Sequence, residues 1–316
     1  TKIQDETEIK METFEPKQIT HYNIIRTCGL GFFSKVYLCE STKNKHQKFA
    51  IKTIKKKLLN NEKAKMHVSN EIKLVSKLKF DFIIPIVEIF ELNNREYIVY
   101  PYYGLDLFSL IKVEKKKIPE NIIKIILSQV YSVISYLHDN KIVYRDLKPE
   151  NIMLDRENGT IKLIDFGLAK QLKDSEKLTE ICGTNEYIPP EVISKNPYNY
   201  DFDEWTFGIF CYEIVFGVTP FQGETQQEIF DSILYDDLEF PSNREGLSAE
   251  LEDLLTSIIQ KEKNEKKGLF VNSWGKKTDA IKWSTTKRIE KASGAERRTL
   301  FLCADAVRRW IAKVPI

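Results

Sequence analysis

The sequence YRDLKPENIMLD, residues 144–155, decides how the rest of the chain is interpreted. Asp146, Lys148 and Asn151 lie close together in it, Pro149 stiffens the backbone between them, and a short apolar segment follows. This pattern is typical of a polar loop that leads into a β-strand. Such a loop fixes several charged groups around one reacting atom, so we expect the chemistry of the protein to centre on it.

The composition is that of an ordinary globular chain. Its 316 residues are 42% hydrophobic and 30% charged, and the net charge is only +2, which gives no case for nucleic acid or a membrane surface as a partner. No apolar stretch approaches the length of a membrane span. Five cysteines show neither metal-ligand spacing nor a dense disulfide framework, so we expect reduced thiols and a location in the cytoplasm or the nucleus.

Two motifs near the N-terminus point to a bound phosphate. Gly29 and Gly31 lie between two predicted strands, where glycine lets the backbone approach a phosphate closely, although a plain hairpin turn fits the pattern equally well. On the next predicted strand, alternation places Lys52 and Ala50 on one face. Glu71 falls on the apolar face of a predicted helix, and a carboxylate there needs a cation as its partner.

The order of these motifs resembles that of the protein kinases. Residues 144–151, YRDLKPEN, match the kinase catalytic loop in the form that is habitual in the AGC group. Asp165-Phe166-Gly167 follows the catalytic loop, and residues 182–191, CGTNEYIPPE, resemble the AGC pattern CGTPEYxAPE. Asn185 and Pro189 depart from that pattern. The resemblance covers residues 22–268 and is nearest to the branch that includes the cyclic-AMP- and cyclic-GMP-dependent kinases.

The resemblance implies a Ser/Thr protein kinase that uses ATP and Mg²⁺. Asp146 would accept the proton of the substrate hydroxyl, Lys148 would neutralise the moving phosphoryl group, and Thr184 would tie these two together. Asn151 and Asp165 would hold the metal. ATP contacts are implied for the glycine-rich loop, which comprises Cys28, Gly29, Leu30, Gly31, Phe32, Phe33, Ser34, Lys35 and Val36. They are also implied for Ala50, for the Lys52–Glu71 pair, for the gatekeeper Tyr100, for the hinge residues Pro101 and Tyr103, and for Asp106.

Regulation is implied at Arg145, Thr179, Glu180 and Glu191. AGC kinases carry an activating phosphothreonine where this chain has Glu180. The first hypothesis is that Glu180 pairs permanently with Arg145 in place of a phosphate. The second is that Thr179 is phosphorylated instead. Glu191 ends the activation segment, residues 165–191. In the family this glutamate pairs with an arginine, but the only basic residues of 261–268 are lysines.

The expected partners follow from three acids. Asp106, Glu150 and Glu213 fall on positions that bind arginines of the substrate in the cyclic-nucleotide-dependent kinases, so we expect protein substrates with basic residues near Ser or Thr. A regulatory subunit or an upstream kinase is a further expected partner. Asp203 resembles the family residue that holds the backbone of the catalytic loop.

The resemblance implies an α+β, bilobal protein-kinase fold, with a small antiparallel β-sheet lobe carrying one main helix and a larger, mainly helical lobe. The expected segments are a solvated polar lead-in over residues 1–21, the small lobe over 22–103, the large lobe over 104–268 and an atypical C-terminal segment over 269–316. Patterning predicts strands over 83–90 and 97–100 and helices over 66–80, 121–138, 225–235 and 248–260.

Two alternative functions remain open from the sequence. A pseudokinase scaffold is favoured only by the atypical C-terminal segment, because all the catalytic positions are filled. A small-molecule kinase with the same bilobal core is disfavoured by residues 182–191, which resemble a segment that docks peptides. Transfer to a peptide, to small alcohols or amines, or to neither distinguishes the three hypotheses.

Overall fold

The computed structural model describes residues 17–31, 34–44, 46–57, 61–113, 118–242 and 248–261, together with Arg308 and Trp310. The chain divides into two compact units. The first contains the described residues up to 57 together with Ile86–Tyr102, and the second contains the described residues of Asn61–Pro85 and those from Tyr103 onward.

The first unit is a six-stranded antiparallel sheet in its described part. The strands lie in the order β1-β2-β3-β4-β6-β5. Their bounds are β1 Gln18–Ile19, β2 Tyr22–Leu30, β3 Ser34–Ser41, β4 Lys48–Lys55, β5 Glu88–Leu92 and β6 Arg95–Pro101. Alternating side chains of these strands form one apolar core, in which Ile51, Val99 and Cys39 are fully buried. β4 lies between β3 and β6, so Lys52 pairs with Val36 on one side and Ile98 on the other.

Two predictions about the first unit were wrong. The lead-in was expected to be solvated, but β1 pairs with β2 and buries Ile19. The strand expected over 83–90 begins only at Glu88 and continues to Leu92. β5 and β6 are joined by Asn93 and Asn94, which both have positive φ. Asparagine tolerates this conformation, so a two-residue turn replaces the longer expected connection.

The second unit is mainly helical. Its helices are α1 Glu62–Val75, α2 Leu107–Val113, α3 Glu120–Asp139, α4 Pro190–Ile193, α5 Asp201–Phe216, α6 Gln226–Tyr235 and α7 Ala249–Ile258. Its strands pair as two short antiparallel ribbons, β7 Ile142–Val143 with β10 Lys170–Gln171 and β8 Ile152–Asp155 with β9 Thr160–Leu163. The helices expected over 121–138, 225–235 and 248–260 are present within three residues at each end, and the one expected over 66–80 lies four to five residues earlier.

α5 lies at the centre of the second unit's core. It is apolar around most of its circumference, and Trp205, Phe207 and Phe210 are almost fully buried. Gly208 allows α7 to pack closely, because a Cβ atom there would lie 2.7 Å from Ile258 Cγ2. The helix begins beside the catalytic loop, so its first turn is in a position to hold that loop. Within the described residues, no helix combines the length and apolar character needed to cross a lipid bilayer.

Candidate active site

The catalytic loop, residues 144–151, connects β7 to β8 and is held by Asp203 from the first turn of α5. The fully buried Asp203 carboxylate accepts hydrogen bonds from the backbone N–H groups of Tyr144 and Arg145, each at 2.8 Å. His138 Nε2, at the end of α3, lies 2.8 Å from Asp203 Oδ2. The carboxylate therefore ties three chain segments to one point, as the sequence predicted for its contact with the loop.

Asp146, Lys148 and Thr184 meet in the second unit. Lys148 Nζ donates to Asp146 Oδ1 at 3.1 Å and to Thr184 Oγ1 at 3.0 Å, and the Thr184 hydroxyl lies 3.4 Å from Asp146 Oδ1. Asn151 Nδ2 donates to Asp146 Oδ2 at 2.8 Å. Burial raises the pKa of the Asp146 carboxyl, although the charge and hydrogen bond of Lys148 and the hydrogen bond of Asn151 oppose the rise. The arrangement is a fixed carboxylate beside one ammonium group.

Asn151 and Asp165 are the candidate magnesium ligands. The Ile164 N–H donates to the Asn151 carbonyl at 3.0 Å, which places Asp165 next to the catalytic loop. The amide nitrogen of Asn151 is used on Asp146, so its amide oxygen is the atom that it can present to a cation. Among the described residues, no group of three His, Cys, Asp or Glu side chains is arranged to hold a metal. Mg²⁺ needs only one or two such oxygens beside substrate phosphates, so the pair fits.

Arg145 connects the catalytic loop to the activation segment, residues 165–191. Its side chain is 6% exposed, and Nη1 donates to the Glu180 carboxylate and, at 3.2 Å, to Tyr198 Oη. Nε donates to the Leu168 carbonyl at 2.8 Å. Burial raises the pKa of Glu180, but the hydrogen bond and charge of Arg145 outweigh it and the pKa falls below its ordinary value. The predicted contact between Arg145 and Glu180 is therefore present in the structure.

The other two predicted regulatory residues lie apart from this contact. Thr179 is exposed on the activation segment immediately before Glu180. Glu191 is buried on α4. Lys261, the first of the lysines near the family's arginine position, donates instead to the carbonyls of Ser232 and Asp236. Lys263, Lys266 and Lys267 lie outside the described residues, so the predicted partner of Glu191 stays open.

Most of the predicted ATP-binding residues lie in the first unit. The hairpin of β2 and β3 closes through a hydrogen bond from Gly31 N to Ser34 O at 2.8 Å, while Phe32 and Phe33 lie outside the described residues. Ala50 pairs with Tyr100, the predicted gatekeeper, across β4 and β6, and Pro101 ends β6. The other predicted residues of this unit lie on β2, β3 and β4: Cys28, Gly29, Leu30, Lys35, Val36 and Lys52.

Three predicted ATP-binding residues belong to the second unit. Glu71 is 4% exposed on α1, and its pairing with Lys52 stays a prediction, as does the hinge contact of Tyr103. Asp106 accepts the N–H and the hydroxyl of Ser109, both at 2.7 Å, and so caps the start of α2.

Two of the three predicted substrate-binding acids share one pocket in the second unit. This pocket, of about 270 Å³, is lined by Phe108, Lys112, Glu150, Thr184, Glu186, Tyr187, Glu213, Gly217, Val218, Thr219 and Gln222. Burial and the charge of Glu150 raise the pKa of Glu213, while the hydrogen bond from the Tyr187 hydroxyl lowers it. Asp106 is not among the lining residues. Asp106 caps α2 instead of lining this pocket, and its predicted contact with a substrate stays a prediction.

Sequence reasoning missed two residues that support the catalytic loop, His138 through Asp203 and Tyr198 through Arg145. His138 lies next to the last residue of a helix that is apolar on several sides, and only its place six residues before the loop could have drawn attention to it. Tyr198 lies in a short connection before α5 and belongs to no recognisable motif. Its contacts with Arg145 and with the Glu180 carbonyl depend on how the activation segment folds back.

Comparison with known proteins agrees with this site. The family profile described as "Protein kinase domain" matches residues 22–270. The chain is 36% identical over 255 residues to cAMP-dependent protein kinase type 3 of Saccharomyces cerevisiae, covering 80% of this chain and 62% of that protein. It is 31% identical over 274 residues to the cAMP-dependent protein kinase, catalytic subunit-like, of Caenorhabditis briggsae, covering 85% and 69%.

A third relative is the Serine/threonine-protein kinase Sgk3 of Mus musculus, 34% identical over 252 residues, which are 79% of this chain and 50% of that protein. The chain thus spans less than two thirds of the yeast kinase and of Sgk3. The sequence-based recognition and the α+β kinase fold are confirmed. The chain belongs to the protein kinase family, and within that family to the AGC-type Ser/Thr kinases.

Proposed function

We propose that this protein is an active Ser/Thr protein kinase that transfers the γ-phosphoryl group of ATP to Ser or Thr hydroxyls, and that it prefers basic sequence contexts. The observation that carries this proposal is the contact of Asp146 with Lys148, Thr184 and Asn151. A scaffold without activity has no need of a buried carboxylate held in this way, since burying a charge is costly unless it has partners.

The residues of the loop have separate tasks in the proposed reaction. Asp146 orients the substrate hydroxyl and accepts its proton, and the fixed contacts on both of its oxygens limit its rotation. Lys148 supplies positive charge where the phosphoryl group passes, and Thr184 keeps its ammonium group in place. Mg²⁺, when bound with ATP, would neutralise the phosphate charge between Asn151 and Asp165. Lys52 would contact the α- and β-phosphates.

The direct test is Mg²⁺-dependent phosphoryl transfer from ATP to an arginine-rich peptide that contains one serine. Transfer to serine confirms the proposal. ATP binding without transfer to any acceptor would show a scaffold, and transfer only to small alcohols or amines would show a small-molecule kinase. The matched peptide with threonine in place of serine, and one with tyrosine, measures the hydroxyl specificity that Thr184 and the activation segment imply.

A Glu150→Gln substitution tests the basic context. Glu150 is exposed at the pocket that also contains Glu213 and Glu186, and three carboxylates against one lysine favour a cationic ligand. We expect the KM of an arginine-containing peptide to rise about tenfold, the effect of losing one charge-assisted hydrogen bond, with kcat unchanged.

The matched control for this test is the same peptide with citrulline in place of arginine. Its KM is expected to be equal for the wild type and Glu150→Gln. Glu224→Gln, at an exposed carboxylate that does not line the pocket, should behave as the wild type with both peptides. Equal KM values of the wild type and Glu150→Gln for the arginine peptide would contradict the proposed preference.

A Glu180→Gln substitution tests regulation, because we propose that Glu180 replaces an activating phosphate. We expect kcat to fall about five- to tenfold at neutral pH, since the buried Arg145 side chain loses its charged partner. The wild type should stay active after phosphatase treatment. If activity collapses on that treatment and Thr179→Ala reproduces the loss, Glu180 alone is insufficient. Asp174→Asn, at an exposed carboxylate of the same segment, is the control.

The pH dependence of this pair has a defined sign. Against the effect of burial, Arg145 lowers the pKa of Glu180 below its ordinary 4.5 in the folded protein. The Arg145–Glu180 pair therefore makes its full contribution to the free energy of unfolding above pH 4.5, and this contribution is lost as the pH falls through the lowered pKa. The free energy of unfolding of the wild type should exceed that of Glu180→Gln at pH 7 and converge on it in acid. The Glu180 side chain is 48% exposed, so solvent screening limits the difference to about 1 kcal/mol.

Partners and location complete the proposal. Several relatives are named as catalytic subunits of cAMP-dependent protein kinases, so we include a regulatory subunit, beside an upstream kinase, among the partners. We also propose a division into a small lobe over 22–103 and a large lobe over 104–268, and a location in the cytoplasm or the nucleus.

A further inference from the structure

Tyr198 is a deeply buried residue that contacts the activation segment beside Glu180. Its side chain is 1% exposed and packs in an apolar cluster with Val143, Leu178 and Phe202. Its backbone exchanges two hydrogen bonds with Leu178, at 2.8 and 2.9 Å. The segment between residues 178 and 198 is thus closed into a loop by a backbone bridge, and the Tyr198 ring fixes this bridge to the core.

The Tyr198 hydroxyl completes a ring of contacts with Arg145 and Glu180. Its hydrogen is donated to the Glu180 carbonyl at 2.7 Å, and its oxygen accepts from Arg145 Nη1 at 3.2 Å. Arg145 Nη1 also donates to the Glu180 carboxylate. Glu180 is therefore held twice, by its side chain through Arg145 and by its backbone through Tyr198. A phenol hydroxyl has one donor and acceptor lone pairs, so these two contacts are chemically compatible.

This ring decides how firmly Arg145 is held. The Glu180 carboxylate is about half exposed, and an exposed ion pair on a loop gains little by itself because side-chain entropy and solvent oppose it. Fixing the Glu180 backbone lowers the entropy that the pair must lose. At the other end, Asp203 binds the Arg145 N–H at 2.8 Å. Arg145, which precedes Asp146, is thus fixed at its backbone by Asp203 and at its side chain by Tyr198.

We propose that Tyr198 is a positioning residue for phosphoryl transfer, which through its hydroxyl holds Arg145 and Glu180 in the arrangement that orients Asp146. This inference rests on the proposed kinase activity for its effect on rate, and on the structure alone for its effect on the segment. Tyr198 touches none of the reacting groups, so its role is separate from those of Asp146 and Lys148.

The test is Tyr198→Phe, which removes the hydroxyl and keeps the buried ring. We expect kcat for the serine peptide to fall about tenfold, the effect of about one net hydrogen bond, with the KM of ATP unchanged. In the double variant with Glu180→Gln, the loss should be no larger than that of the more damaging single variant, because both substitutions act through Arg145. A wild-type kcat, or losses that multiply in the double variant, would overturn the proposal.

Tyr212→Phe is the matched control. Tyr212 is also a buried tyrosine whose hydroxyl donates to a carbonyl, that of Glu239 at 2.9 Å, and its ring packs on Phe216 and Phe240. It should keep the kcat of the wild type. An equal fall in both variants would show a general loss of stability and would overturn a positioning role of Tyr198.

A second measurement is independent of catalysis. Cys182 Sγ lies 3.9 Å from Tyr198 Oη in a partly buried position, whereas Cys28 is exposed in the first unit. In Tyr198→Phe, alkylation of Cys182 should become several-fold faster while that of Cys28 is unchanged, measured by mass spectrometry of peptides. If the wild type transfers no phosphate, the proposed function fails, and the Cys182 rate then decides this inference by itself. An unchanged rate would overturn it.

Discussion

Asp146→Asn is expected to lower the rate of phosphoryl transfer to the serine peptide by roughly 10²–10⁴-fold, the range ascribed to a positioned general acid or base. Asparagine keeps the size of the side chain, but its amide has one oxygen, so it retains only one of the contacts with Lys148 and Asn151 and cannot accept the substrate proton. ATP affinity should change little, because the proposed role of Asp146 concerns the hydroxyl. Initial rates at saturating ATP, together with a nucleotide-binding assay, measure the two quantities separately.

The matched control for this variant is Asp174→Asn, at an exposed carboxylate, which should have the wild-type rate. Because burial raises the pKa of Asp146, the acid limb of the wild-type rate should lie above the ordinary carboxyl value of 3.8. This limb should be absent from the residual activity of Asp146→Asn. A rate within threefold of the wild type would show that another group accepts the proton.

Asp203→Asn is expected to have the largest effect on stability. Asp203 is fully buried and accepts from two backbone N–H groups, and His138 lies against the same carboxylate. The amide of asparagine has one oxygen and would turn an N–H₂ group toward a donor, so at least one buried donor loses its acceptor. We expect the free energy of unfolding to fall by about 2–4 kcal/mol and the transfer rate to fall about a hundredfold.

Denaturant unfolding followed by intrinsic fluorescence measures the stability term. Asp231→Asn, at an exposed carboxylate on α6 that accepts one side-chain hydrogen bond, should unfold as the wild type. His138→Ala removes only one contact of Asp203 and should be destabilised less, by about 1 kcal/mol, so it keeps the test informative if Asp203→Asn fails to fold. An Asp203→Asn protein with the unfolding midpoint of the wild type would contradict the role assigned to this carboxylate.

Helices and motifs were predicted well where the signal is local. The apolar pattern of α3 and the run of residues 144–151 each lie in one stretch of sequence, so periodicity and spacing were sufficient to find them. The contact between Arg145 and Glu180 was also anticipated. Two predictions about the first unit failed for local reasons. Asn93 and Asn94 tolerate positive φ and so shorten the turn after β5, and Ile19 is buried in a stretch that its polar neighbours made look solvated.

The function of a carboxylate was harder to predict than its presence. Asp106, Glu150 and Glu213 were grouped by family position, but Asp106 is used to cap α2 while the other two line one pocket. A carboxylate near the start of a helix has a local competitor for its oxygens, the first-turn N–H groups. The sequence pattern did not show that Asp106 caps α2, and the predicted contact of Asp106 with a substrate stays a prediction.

The sequence by itself determined the family, the place of Asp146, Lys148 and Asn151 in one loop, and the helical or strand character of most elements. These depend on residues that are close together along the chain. The resemblance also predicted that Asp203 holds the backbone of the catalytic loop. Only the tertiary structure showed the further contacts, that of His138 with Asp203 and that of Tyr198 with the Arg145 side chain, 53 positions away. Such contacts arise when buried polar groups must find partners among whatever residues the packed core brings near them, and no local periodicity records that choice.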